Sequence, residues 1–313
     1  MVWFIGRRLV AAVPVLLLSS LVVFSTIHLV PGDPVDAMLG AAGYQGASNR
    51  PELVRQVRRE MGLDQPLVVQ YARWVTGALH GDLGTSYIRR RPVVALIAER
   101  LPSTLELTAA GTALAVVFGV SLGVVAALKR HTFVDGQVMT VALLGVSLPN
   151  FWLAILLILV FSVLLRWFPA TGSGTLRQLV LPATALGVEG AAVIARLTRT
   201  ALVEVLGRPY ITTARAKGLQ PRVVHLRHAL RNALIPVVTV IGLQIGHLLA
   251  GSVVVETIFA RQGIGQLAVD AIRAKDYPLV QGIVLFTAVV YVVINLIVDV
   301  LYGYLDPQIR LAR

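Results

Sequence analysis

Six stretches of this 313-residue chain are long and apolar enough to cross a bilayer as helices, near 9–30, 104–128, 138–165, 181–206, 234–255 and 280–303. A hydrocarbon core about 30 Å thick takes roughly 20 apolar residues of helix at ~1.5 Å each. Inside it no water meets the backbone N–H and C=O groups, so only helices or a closed barrel can span it. Continuous apolar runs, rather than alternation, select helices. Composition agrees. The chain is 56% hydrophobic and 14% charged, where a soluble domain carries about 25% charged residues. The expected fold class is an all-α membrane protein of six transmembrane helices.

The first run follows Arg7 and Arg8, as a signal peptide would. It is longer than the roughly 7–15 apolar residues of a cleaved signal, so it is expected to stay as the first span. With the N-terminus inside, the cytoplasmic pieces are 1–8, 129–137, 207–233 and the tail 304–313. These hold Arg7, Arg8, Lys129, Arg130, the basic cluster of 208–231, Arg310 and Arg313, as the enrichment of Lys and Arg on the cytoplasmic side demands. The net charge of +12 is thereby explained by topology, and nucleic acid is not an expected partner. The loop 31–103 carries nine arginines diluted by seven acids, and loops of this length are largely exempt from the rule. The expected organisation is an N-terminal span (1–30), an extracytoplasmic region (31–103), a five-helix transmembrane domain (104–303) containing the cytoplasmic loop 207–233, and a cytoplasmic tail.

Within the extracytoplasmic region, Pro31-Gly32-Asp33-Pro34 reads as the turn that stops the first helix. Leu67, Tyr71, Trp74, Val75 and Ala78 recur at helical spacing, so one face should lie on protein or on headgroups. Residues 81–86, GDLGTS, read as a loop. The spans carry ridges of small residues suited to close packing in lipid: Gly119 with Gly123, Gly242 with Gly246, and the row Ala183, Gly187, Ala191, Ala195. Pro149, inside SLPNFW, should kink the third span.

The chain has no cysteine, hence no disulfide and no thiolate nucleophile or metal ligand. It also lacks GxxxxGK[ST], HExxH, GxSxG and any metal-ligand cluster. It is not expected to be an enzyme, and its energy must come from elsewhere. What remains are polar groups inside spans, which are functional candidates because burying them in lipid is costly. Glu189 and Arg196 share one face of the fourth span, separated by about 10.5 Å of helix rise, too far to pair directly. Each should meet another helix or a wet cavity. Arg199 is close enough to the inner end to snorkel. Gln244 and His247 are three apart, Asn295 and Asp299 four apart. Asn150, Glu189, Arg196, Gln244 and His247 are the candidate translocation-path residues.

The segment 210–236, YITTARAKGLQPRVVHLRHALRNALIP, has five Lys or Arg and no acid, pinned between two apolar runs. Its punctuation predicts a short helix, a stop at Gly218, a turn at Pro221, and a second basic helix leading into the fifth span. It resembles the coupling loop of ABC-importer permeases, whose pattern is Glu-Ala-Ala, three residues, Gly, then an apolar residue and Pro downstream. Here Thr212-Thr213-Ala214, Arg215-Ala216-Lys217, Gly218 and Ile235-Pro236 occupy those places. Thr212 stands where the general pattern has Glu, as is common in the dipeptide/oligopeptide branch. PGDP, GLDQPLVVQY (62–71), GDLGTS, LPSTLELTAAG (101–111), SLPNFW and YLDPQIR (304–310) are similar to that branch too, in order along nearly the whole chain.

The resemblance implies a type-1 ABC-importer permease fold, multi-pass in a bacterial inner membrane. It implies a second, similar permease, two ATPase subunits or domains binding ATP and Mg on the cytoplasmic side, and an extracytoplasmic binding protein that delivers a peptide or similar solute. Thr212, Thr213, Ala214, Arg215, Ala216, Lys217 and Gly218 would then be the ATPase-coupling residues, with no cofactor and no catalytic residue in this chain. Two readings compete with it: a proton-coupled carrier using Glu189, Arg196 and His247 as a relay, and an integral-membrane enzyme, which the missing nucleophile, acid pair and metal site disfavour. The sequence does not choose among dipeptides, oligopeptides, glutathione-like peptides, nickel chelates and haem.

Overall fold

The computed structural model describes residues 2–29, 35, 39, 51–60 and 62–305, and these are helical almost throughout. In chain order the helices are α1 (Val2–Leu29), α2 (Pro51–Glu60), α3 (Leu67–Leu79) and α4 (Val93–Leu128). Then come α5 (Phe133–Ser147), α6 (Asn150–Leu157, continued by wider π-helical turns over Ile158–Leu164), α7 (Leu176–Leu206) and α8 (Pro209–Ala216). The last are α9 (Pro221–Ile258, π-helical over Val224–Leu230), α10 (Ile264–Arg273) and α11 (Tyr277–Leu305). Among the described residues the one β feature is a bridge between Thr85 and Pro92. The predicted turn at 31–34 and the tail beyond 305 lie outside the described residues, as does the side chain of Asp299.

Among the described residues five helices are long and apolar enough to cross a membrane, or there are six spans if α5 and α6 count as one. That pair corrects the expectation of a single kinked third span. The two arms meet at 106°, too sharp for a kink. Pro149 offers no N–H and forces its predecessor out of the helical region; Leu148 accordingly sits at ψ 124° and Pro149 at ψ 136°. The helix stops and restarts at Asn150.

The chain divides into two compact units, Met1–Pro102 with Gly263–Val293, and Ser103–Gln262 with Ile294–Arg313. In the first, Tyr71 and Trp74 of the predicted apolar face of α3 lie on α1, while Leu67 at its start is exposed. Tyr71 and Trp74 pack against Phe24 with ring centroids 5.4 and 6.3 Å apart, and the Tyr71 hydroxyl is 2.8 Å from that of Ser20. The helix α4 starts at Val93 rather than at 104, because Val93, Leu96 and Ile97 form an apolar face buried against Ile264, Leu267 and Ala271 of α10 and Leu279 and Ile283 of α11. Glu99 and Arg100 mask that extension from a hydropathy reading. Asp276, 1% exposed just ahead of α11, accepts hydrogen bonds from the Ser86 hydroxyl and, at 3.1 Å, from the Tyr87 N–H, pinning the loop 81–92. Burial, and secondarily the Asp276 charge, push the Tyr87 phenol up to about 12, so it stays neutral.

In the second unit α7 is the hub. Of its span 56% is buried, against 33% for α4 and 28% for α9. The small-residue ridges explain why. A Cβ added to Gly123 of α4 would lie 2.6 Å from the Ala195 carbonyl of α7, and one on Gly119 would lie 2.7 Å from the Ile194 Cβ. The two backbones approach to a distance only Gly permits, and dispersion between close surfaces is what holds helices together in lipid. Gly123→Leu should therefore cost at least about 1–3 kcal/mol by overpacking, while Gly136→Leu, where a side chain meets open space, should be nearly neutral. Thermal melting of the two purified variants in the same detergent checks this. Equal melting temperatures would mean that the close approach is dispensable.

Candidate functional site

Two parts of the second unit hold the candidate functional residues. The first is the basic segment after α7. Pro209 opens α8 at its first turn, where a missing N–H costs nothing. The helix ends in a Schellman motif: Gly218 N–H donates to the Arg215 carbonyl at 2.9 Å, and Leu219 N–H to the Ala214 carbonyl at 3.4 Å. Gly218 closes the motif at φ +75°, the left-handed conformation that Gly adopts without strain.

Only two residues of α8 face inward. Ile211 and Ala214, one turn apart, are buried against Ala127 at the end of α4, Leu202 of α7, and Val224, Ala229 and Ala233 of α9. Thr212, Thr213, Arg215, Ala216, Lys217 and Gly218 are exposed. Ala214 is therefore the anchor, and the other six residues of 212–218 form the presented surface. Asn232 Nδ2 donates to the Tyr210 hydroxyl at 2.9 Å, tying the start of α8 to α9. The exposed Arg208–Glu204 pair adds little, since such pairs contribute about 0–1 kcal/mol.

The second part is a polar cluster among the spans. Asn150, placed at the first turn of α6 by the Pro149 break, donates from Nδ2 to Glu189 Oε2 at 3.1 Å. His247 of α9 brings Nε2 to 3.5 Å from Glu189 Oε1. Gly251, one turn beyond His247, lies beside the Asn150 amide; a Cβ there would lie 3.8 Å from Nδ2, in ordinary contact. Three helices thus deliver an amide, a carboxylate and an imidazole to one place. Of the five path candidates, these three come together and two do not. Arg196 is exposed and has no carboxylate partner among the described residues. Gln244 lies against Gly190 of α7 and is outside the cluster. A relay through Glu189, Arg196 and His247 is therefore not assembled within the chain.

Arg199, expected to reach the inner end, has a partner there that the sequence did not announce: it forms a two-pronged pair with Asp135 at the start of α5, Nε to Oδ1 at 2.5 Å and Nη2 to Oδ2 at 2.7 Å. The Asp135 carboxylate, 8% exposed, also accepts from the His131 N–H at 3.1 Å. Two further pairings escaped sequence reasoning. Arg261, fully buried, donates to Glu106 and, at 3.4 Å, to the Ser103 carbonyl. Thr104 donates to buried Glu256 at 2.7 Å. An acid in the first turn of a span is a faint signal for Asp135; the others leave none.

The fold is that of known importer permeases. A solved chain of the MetNI methionine ABC transporter, in inward-facing conformations, superposes with a TM-score of 0.58 at 20% identity, covering 67% of this chain and 96% of that one. Among relatives, a Brucella abortus (strain 2308) protein named for a peptide transport system permease is 45% identical over 312 residues, 97% of this chain and 98% of its own length. The glutathione transport system permease protein of Escherichia coli (strain K12) is 44% identical over 307 residues, 98% of each chain. Residues 119–311 match the family described as binding-protein-dependent transport system inner membrane component, and residues 1–108 match the N-terminal family of the same membrane components. The chain belongs to this family: it is a multi-pass inner-membrane permease of a binding-protein-dependent ABC importer.

Proposed function

We propose that this permease imports peptides, or solutes of similar size and polarity, along a path completed by a second permease, driven by two ATPase subunits or domains that dock on the cytoplasmic loops, the segment 207–233 being this chain's coupling loop. The observation that carries the reading is the seating of α8. Its two buried residues rest on the ends of α4 and α7 and the start of α9, while the rest of 212–218 stays exposed. A partner pushing on that surface moves three helices as one body, because packed elements shift rigidly rather than deform. ATP and Mg belong to the partner, and no cofactor is assigned to this chain. The names of the relatives support a peptide-like solute.

Purified in mild detergent, the tagged chain should bring a second permease and the ATPases with it. Uptake of a labelled tripeptide into cells should stop when ATP is depleted and persist under a proton ionophore while ATP is maintained. Uptake abolished by the ionophore alone would favour a proton-coupled carrier and sink this reading.

The same proposal places both termini in the cytoplasm. Because the native chain has no cysteine, Thr85→Cys and Thr213→Cys, both at exposed positions, report topology cleanly. An impermeant thiol reagent should label the first in intact cells and the second only after the membrane is opened. The reverse pattern overturns the orientation.

A further inference from the structure

On its uncovered side α7 carries Glu189, Val193, Arg196 and Thr200, at steps of four, three and four residues, all partly or fully exposed in the chain. Beside this stripe α9 presents His247, with Leu243 and Val254 exposed at helical spacing above and below it. A charged stripe of this kind cannot face acyl chains, so it faces protein or water.

Resting on the import reading, we propose that the stripe is a two-point site for a zwitterion, with Glu189 receiving the ammonium end and Arg196 the carboxylate end of a solute about three residues long. The carboxylate is pre-set for a cation. Asn150 holds Oε2 and His247 stands by Oε1, while an ionised carboxylate has about four acceptor sites, so lone pairs remain for an ammonium on the uncovered side. Glu189 keeps 29% of its side chain exposed, which leaves the ammonium a way in.

Arg196 supplies the opposite end. Its guanidinium matches a carboxylate with two parallel donors, and no carboxylate among the described residues takes it. Seven residues of helix set the Cα atoms of Glu189 and Arg196 about 10.5 Å apart along the axis. An extended chain rises about 3.3–3.6 Å per residue, so the ends of a tripeptide are roughly 10 Å apart. A dipeptide falls short of that spacing, and a longer peptide overshoots it. Two charges held too far apart to neutralise each other are held ready for a ligand that carries both.

Val193 lies between the two charges, and Val193→Cys in the assembled, nanodisc-embedded importer tests the proposal. Labelling by a water-soluble methanethiosulfonate is read on this chain by mass. Tri-alanine is expected to slow labelling in proportion to occupancy, about tenfold once its concentration is ten times the half-effect value. The capped peptide, N-acetyl-tri-alanine amide, should not slow it, and di-alanine should do so less. Adding Glu189→Gln or Arg196→Gln should abolish the protection. A cysteine that no reagent reaches shows that the stripe does not line a wet path, and removes both the path and the site. A cysteine that labels freely but is protected by neither peptide, or by both alike, leaves the path standing and overturns the zwitterion site. The comparison of peptides in the Val193→Cys background alone decides this even if the charge variants fail to assemble.

Discussion

Asp135→Asn is expected to destabilise the assembled protein by about 3–5 kcal/mol, the cost of stranding a charge in low dielectric. The Arg199 side chain is 28% exposed and its partner 8%, so the guanidinium left behind cannot recruit a full shell of water. The pair fixes the first turn of α5 to α7, the most buried helix of its unit. Its loss should loosen α5 where the chain turns back from α4. Arg199→Met should cost a similar amount by stranding the carboxylate. The double variant Asp135→Leu with Arg199→Met removes both charges and should recover much of the loss, because desolvation offsets most of what a buried pair contributes. Melting followed by size exclusion in detergent measures all three. Single variants within about 1 kcal/mol of the parent, like the exposed Arg208→Gln, would show that water reaches the pair freely.

The largest effect on transport should come from deleting 212–218, which is expected to reduce uptake to background while the spans remain inserted. The presented surface of α8 would be gone, and with it the proposed ATPase contact. Gly218→Glu is the subtler form of the same test. A side chain at Gly218 meets no atom within 4 Å, so the change costs only the strain of a left-handed residue, about 1–2 kcal/mol. That is too little to unfold the chain. It does reshape the end of α8 and put a negative charge among Arg215 and Lys217. ATPase co-purification and uptake should both fall, by more than for Arg231→Gln. Undiminished uptake in the deletion would remove 212–218 from the coupling role.

The legibility of these features in the sequence follows from their range. Gly218 and Pro221 announced the end of α8 and the restart at α9, because a left-handed cap and a helix-opening proline are decided within a few residues. The small-residue rows were visible too, but not that those of α4 and α7 would meet each other. Pro149 marked a disturbance without revealing its size. A proline fixes local dihedrals, and the 106° between the arms depends on what each arm packs against.

The same division runs through the polar residues. Sequence by itself determined that this chain is a bundle of membrane helices, where their apolar stretches lie, which segment between them is basic, and that Glu189 and Arg196 lie on one face, since composition and periodicity are local quantities; it did not show that α4 begins at Val93 or that the helix breaks at Pro149. Only tertiary structure decided that Asp135 takes Arg199, that Asn150 and His247 converge on Glu189, and that Arg196 finds no carboxylate among the described residues. Such pairings join residues as far as 64 positions apart. They are set by how helices cross, which depends on the packing of whole faces and leaves no trace in the spacing along any one of them.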